Sequence, residues 1–316
     1  MATAGSCFAQ HVARHMRQRG YNVMDVEPAP KQLDPANHTA FGFGMYSARY
    51  GNIYTVRQLL QLAQEAISDT PPQDYIWEKD GRYYDAIRPN IEPSGLDTPE
   101  DVAELRQHHR AQVRDMFKNM DVFVFTMGLT EAWMHKKHGT VYPTAPGTIC
   151  GTFDPEVYEF HNFTYQEIQN DFLSFLKIVN EFRGSRFKVI LTVSPVPLTA
   201  TASDTHILRA STYSKSVLRA VAGQLNERPN IDYFPSYEIV TNPASRGVFF
   251  ASNLRSVTIE GVDVVMKTFF AEHTLSKARP ARTQQPQPSK KASPAEPESS
   301  KDDVQCEEAM LEAFSR

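Results

Sequence analysis

Ser6 is the residue of this chain placed where it could most readily do chemistry. It stands in Thr3-Ala4-Gly5-Ser6-Cys7-Phe8-Ala9-Gln10-His11, where a glycine permits a tight turn and a helix begins at once. Phe8, Val12, His15 and Met16 fall on one side of that helix, Gln10, Arg14, Arg17 and Gln18 on the other, and Gly20 closes it. Two readings fit Ser6. Its hydroxyl can cap the helix by accepting from a first-turn amide. Alternatively it is a nucleophile on a strand-to-helix turn, at the positive end of a helix dipole. Cys7 sits where a helix start lowers a thiol pKa, although a small buried hydrophobe is the simpler account of it. The pair of histidines in Gln107-His108-His109-Arg110 diverges around a helix, so no metal is expected, and no cofactor.

The elements that must position Ser6 alternate along the chain. "DVFVFTMG" from Asp121 is a short apolar run ending in glycine, after a long polar helix pattern from Pro99 to Lys118. "FKVILTVSPVP" from Phe187 repeats the theme after a helix from Thr164 to Phe182. A helix over Ser211–Arg228, a strand in "IDYFPSYEIV" and a last helix in "TIEGVDVVMKTFFAEH" complete the pattern. Apolar strands joined by amphipathic helices predict a three-layer α/β/α sandwich around a parallel sheet of about five strands. Only Met1 to Ala4 precede the Ser6 turn, which predicts either a stub for the first strand or a chain shorter than the natural one. In such a sheet, function gathers at the carboxyl ends of the strands. The loops there read "AGSCFA", "TMGLTEAW", "TVSPVPLTATASDTH" and "SYEIVTNPASRGVFFASNLRSVT". The Pro/Gly-rich "TAPGTICGTFDPE" is read as a lid, or simply as a connection.

Composition sets the outer limits. The 316 residues are 41% hydrophobic and 22% charged, with a net charge of −4, enough for a sizeable core and no excess of cations to pair phosphates. We therefore expect no nucleic-acid partner. Three scattered cysteines suit neither a disulfide framework nor a zinc site, and no apolar run is long enough to span a membrane. A cytoplasmic, membrane-free protein is the expectation. Residues 276–316, rich in Pro, Ser, Lys and Glu, are predicted to be a disordered tail after a single folded unit over 1–275. Val304, Met310, Leu311 and Phe314 would give its end a short helix, a fraying terminus or a docking peptide for a protein partner.

Several blocks carry a resemblance. "GSCFA" at Gly5–Ala9 is similar to the signature of the GSCFA family, and "FGFGMYSARYGNIYT", "FTMGLTEAW", "LTVSPVP", "STYSKSVLRA" and "YFPSYEI" follow in order as family-like blocks. The family resembles the SGNH/GDSL hydrolases, flavodoxin-like α/β proteins that cleave or transfer acyl esters, often on carbohydrates. That resemblance implies a serine esterase or O-acyltransferase acting on a small-molecule or glycan ester. Ser6 would then be the nucleophile, its own amide one oxyanion donor. Gly51 with Asn52 and Gly128 with Thr130 would supply the rest of the oxyanion hole, Thr130 standing where the superfamily has asparagine.

The same resemblance expects an Asp-x-x-His before the last helix, and this chain has Asn253-Leu254-Arg255-Ser256. Asn253 and Ser256 are accordingly assigned to substrate contact, together with Trp133, which suits a sugar face or the underside of the lid. Without that dyad a serine needs another base. His206, near Asp204 on the loop after the Phe187 strand, is favoured narrowly over His161, near Glu159, and His11 points along its helix. The alternative is a catalytically silent relative that binds a glycan or a protein.

Overall fold

A computed structural model of the chain describes residues 1–273. The expected tail and its terminal helix lie outside the described residues. The central sheet has four parallel strands in the order β1, β4, β8, β9: β1 is Ala2–Gly5, β4 Val122–Met127, β8 Lys188–Val193 and β9 Ile231–Tyr233. Side chains alternate across it, as a pleated strand requires. Phe123, Phe125, Met127, Val189, Leu191 and Val193 enter one core. It is closed by α2 (Val56–Ser68), α3 (Pro99–Asn119), α4 (Tyr165–Arg183) and α5 (Ile207–Asn226). Val124 and Ile190 enter the other core, against α1 (Phe8–Gln18), α6 (Ser236–Thr241) and α7 (Ile259–Glu272). The three-layer α/β/α sandwich is therefore present.

A fifth lane exists without being a strand. Beyond β1 the chain runs irregularly: Met24 N–H donates to the Met1 carbonyl at 2.8 Å, and Ser47 Oγ accepts from the Thr3 amide at 3.0 Å. The outer edge of β1 is thus covered by a polar-backed strap, and the four-residue strand is stable because both of its sides are occupied. Helix starts follow local chemistry. Thr55 with Gln58, Thr98 with Asp101 and Thr164 with Glu167 each form a reciprocal capping box.

Two small sheets were not foreseen. A hairpin joins β2 (Ile76–Lys79) to β3 (Arg82–Asp85). Between β4 and α4 the chain inserts an antiparallel sheet in the order β6, β5, β7, where β5 is Glu131–His135, β6 Val141–Tyr142 and β7 Tyr158–Asn162. Of the stretch read as a loop, "TMGLTEAW", only Gly128, Leu129 and Thr130 lie outside strands. The inserted strands are two to five residues long, too short for a periodicity to register.

Behind α3 lies a buried charge network. Arg88 bonds Asp85 at 2.7 Å, Arg106 bonds both Asp85 (3.1 Å) and Glu65, and His109 Nδ1 lies 2.7 Å from Glu27 Oε2. Burial pushes the Asp85 carboxyl up, but Arg106 and Arg88 outweigh it and hold it below its usual value. His109 of "QHHR" is thus a member of this internal polar network, through Glu27.

Candidate functional site

Ser6 is held by the start of α1, β4 and the strap. Its amide donates to the Thr126 carbonyl at 3.2 Å, and its carbonyl accepts from Ala9 N–H and the Tyr46 hydroxyl. Gly5, at φ +143, makes this turn possible: a Cβ there would lie 2.5 Å from the Thr126 oxygen. Cys7, not Ser6, occupies the N-cap position of α1, with no side-chain capping bond. The capping account of Ser6 therefore fails. Its hydroxyl is buried, 2% of the residue being exposed, and Oγ has no hydrogen-bond partner among the described residues. An orphaned buried hydroxyl costs about 1–3 kcal/mol, so the fold carries a burden at this position that capping does not explain.

The second and third blocks converge on the same turn. Ile53 N–H donates to the Gly5 carbonyl at 2.9 Å, next to Gly51, whose φ of +67 requires glycine at that bend. The Asn52 carboxamide accepts from Gln10 Nε2 at 3.1 Å and from the Tyr46 hydroxyl, and donates to the Tyr54 hydroxyl at 3.2 Å. Gly128 presses against the serine: a Cβ on it would lie 2.9 Å from Ser6 Cβ and 3.0 Å from the Tyr54 oxygen. Ser6, Asn52 and Gly128 thus meet at the carboxyl edge of β1 and β4. The amides are arranged differently from expectation. Gly128 N–H and Leu129 N–H both donate to the Tyr54 carbonyl, at 3.1 and 2.9 Å, and the Ser6 amide is spent on Thr126. Thr130 is fully buried with an unpartnered Oγ1, so its hydroxyl keeps a donor that Gly128 lacks.

Helix α5 pins this loop. Ser214 Oγ accepts from Thr130 N–H at 3.0 Å, and the buried Lys215 ammonium donates to the Gly128 carbonyl at 2.7 Å. Lys215 was missed, although the sequence carried a signal. It falls in line with Leu218, Ala222 and Leu225 on the apolar stripe of α5, where a lysine is out of place without a polar task.

The two candidate bases lie elsewhere in the architecture. His206 caps α5, its Nδ1 accepting from Leu208 N–H at 3.2 Å, and is exposed on the carboxyl-edge loop. His161 Nε2 lies 2.9 Å from Glu167 Oε1, the capping-box partner of Thr164 at the start of α4. His161 pairs with Ala132, one residue out of phase with the Trp133–Phe160 pair, so it leaves the sheet on the opposite face from Trp133. Neither ring is bonded to Ser6 Oγ. Asn253 and Ser256 form an exposed turn closed on itself, Asn253 Nδ2 donating to Ser256 Oγ at 2.9 Å and Oδ1 accepting from Ser256 N–H.

Next to the Gly128 loop opens a groove of about 250 Å³, walled by Leu129, Trp133, Phe160 and Leu198, with Thr144, Ala145 and Thr148 from the expected lid. Glu131 is its one ionisable wall residue. Burial pushes that carboxyl up, partly offset by a 2.9 Å bond from the Thr201 hydroxyl. Among the described residues no helix is long and apolar enough to cross a membrane. The family model described as the GSCFA family matches residues 1–269. No curated protein and no solved structure matches the chain.

Proposed function

Because the chain belongs to the GSCFA family along residues 1–269, we propose that it is a serine-dependent ester hydrolase or O-acyltransferase acting on acyl esters of a carbohydrate or glycan. The observation that carries the reading is the Ser6 hydroxyl: buried, unpartnered and not used as a cap, beside Gly128 and Asn52. In the proposed reaction Ser6 Oγ attacks the acyl carbon, its proton passes to a base, and the alcohol leaves to give an acyl-serine. Water or a second hydroxyl then takes the acyl group. His206 is our base, on the carboxyl-edge loop, and Thr130 with Asn52 are our oxyanion partners. Membership of the cytoplasm, and a protein partner for the tail, remain parts of this proposal.

A second reading has its own support: Asn253 and Ser256 hold no imidazole, and no base is bonded to Ser6, which suits a silent relative that binds a glycan or protein. Labelling separates the two. A fluorophosphonate should modify the wild type and not Ser6→Ala, read by intact mass. Turnover of an aryl acetate should fall by about two to four orders of magnitude in His206→Ala and much less in His161→Ala. A folded wild type that resists the probe would leave the binding reading standing.

A further inference from the structure

The groove beside the Gly128 loop has a chemistry of its own. On β5, Glu131 and Trp133 are two residues apart and share a face of the sheet. Phe160 stands directly opposite Trp133 and Asn162 directly opposite Glu131. Trp133 meets Phe160 at 5.9 Å and 66°, and the half-exposed Phe153 at 5.1 Å and 76°, so the rings form a corner rather than a stack. The polar side chains of its wall are the Glu131 carboxyl and the hydroxyls of Thr144, Thr148 and Thr201; Thr201 donates to Glu131, and Thr144 Oγ1 is buried without a partner among the described residues. No lysine or arginine is in its wall.

We infer that this groove takes a ligand bearing a cationic nitrogen, an ammonium held against the Trp133–Phe160 corner with the Glu131 carboxylate as its counter-ion. An ammonium over aromatic faces is attracted by their quadrupole, most strongly where water is excluded. An anionic ligand meets the carboxylate without a compensating cation. An apolar acyl chain would strip water from that carboxylate and return nothing to it. Burial already holds the Glu131 carboxyl above its ordinary range, a burden that a cation in the groove relieves. In the proposed ester, the nitrogen belongs to the alcohol portion, as in an aminated sugar or an amino alcohol. The inference rests on the serine reading for the groove's part in the reaction, but its binding test does not need turnover.

Choline, tetramethylammonium, 3,3-dimethylbutan-1-ol (the neutral isostere of choline) and glucose should be titrated into the full chain, read by Trp fluorescence. Choline should bind at least about tenfold tighter than its isostere, the worth of one desolvated cation–π and ion-pair contact. Glu131→Gln, which keeps shape and volume, should bring that ratio to about one. Trp133→Leu, which removes the reporter and is therefore read by titration calorimetry, should weaken both ligands, and Ser6→Ala should retain the preference. Equal binding of choline and its isostere would overturn the inference, as would tighter binding of glucose, or a preference that survives Glu131→Gln. So would the absence of saturable binding by either ammonium up to about 10 mM. Failure of fluorophosphonate labelling sinks the serine reading alone, because these titrations proceed without it.

Discussion

Replacing Gly5 by alanine tests the geometry that presents Ser6. Two costs act together. At φ +143 an L side chain is strained, which is worth about 1–3 kcal/mol. The added Cβ would also meet Thr126 at 2.5 Å from its oxygen and 2.8 Å from both its Cβ and its nitrogen. Those atoms belong to a central strand bonded on both sides, so relief requires β1 and β4 to separate, at about 1–3 kcal/mol more. The sum is about 4 kcal/mol, which lowers the melting temperature of a domain of this size by roughly 8–16 °C. Gly20→Ala is the control. Its φ is +78, yet nothing lies within 4 Å of the added methyl, so only the strain remains, about 1 kcal/mol. Differential scanning fluorimetry of both variants gives the comparison directly. If Gly5→Ala melts within about 3 °C of Gly20→Ala, the close approach of the two strands at the serine turn is not what fixes that turn.

Acid should unfold the protein from two directions. Burial and Arg88 hold His109 down at about 4, despite Glu27; the unfolded chain therefore takes up that proton first, and stability falls as pH drops from about 6.5 towards 4. Burial raises the Glu27 carboxyl, but His109, Arg88 and the Arg49 amide overcome it and hold it at about 2, so its contribution is complete above about 4.5 and lost as pH falls towards 2. Urea midpoints should fall between pH 7 and 5 by the equivalent of about 2 kcal/mol, and His109→Gln should flatten that slope; a flat wild-type profile would remove the neutral buried His109. On α5, Ser214→Ala leaves the Thr130 amide unpaired and Lys215→Met does the same to the Gly128 carbonyl, each costing about 1–3 kcal/mol by urea unfolding. Fluorophosphonate labelling should slow more in Lys215→Met than in Lys215→Arg; equal rates in all three proteins would show that α5 does not position the site.

The layered fold was legible because Phe123 to Met127 and Val189 to Val193 are apolar on both faces, which only a covered parallel strand tolerates. The starts of α3 and α4 were equally open, since a threonine followed three residues later by an acid suits a capping box; α2, which Thr55 and Gln58 open in the same way, was not read. The insert between β4 and α4 was hidden for the opposite reason. Its strands earn their stability from cross-strand partners such as Trp133 and Phe160, remote in sequence, and show little intrinsic pattern. The site divided along the same line. Ser6, Asn52 and Gly128 lie in glycine-marked turns and could be found. Lys215 left a trace on the apolar stripe of α5, but its task, like that of Glu131, showed only once α5 and β5 brought them against those turns.

The buried charges behind α3 also bear on how the chain assembles. Glu27, Glu65, Asp85, Arg88 and Arg106, with the neutral His109 bonded to Glu27, come from the strap, α2, the hairpin with the turn after it, and α3. A partner missing from such a cluster leaves a buried charge uncompensated, at about 3–5 kcal/mol. A form with one of these segments undocked is therefore scarcer than the complete one by a factor of roughly 10² to 10⁴. The strap that edges β1 and carries Asn52 cannot settle independently of α3. Arrival of the ions together makes docking of this half a single cooperative event, and the bend beside Ser6 is set by the same event.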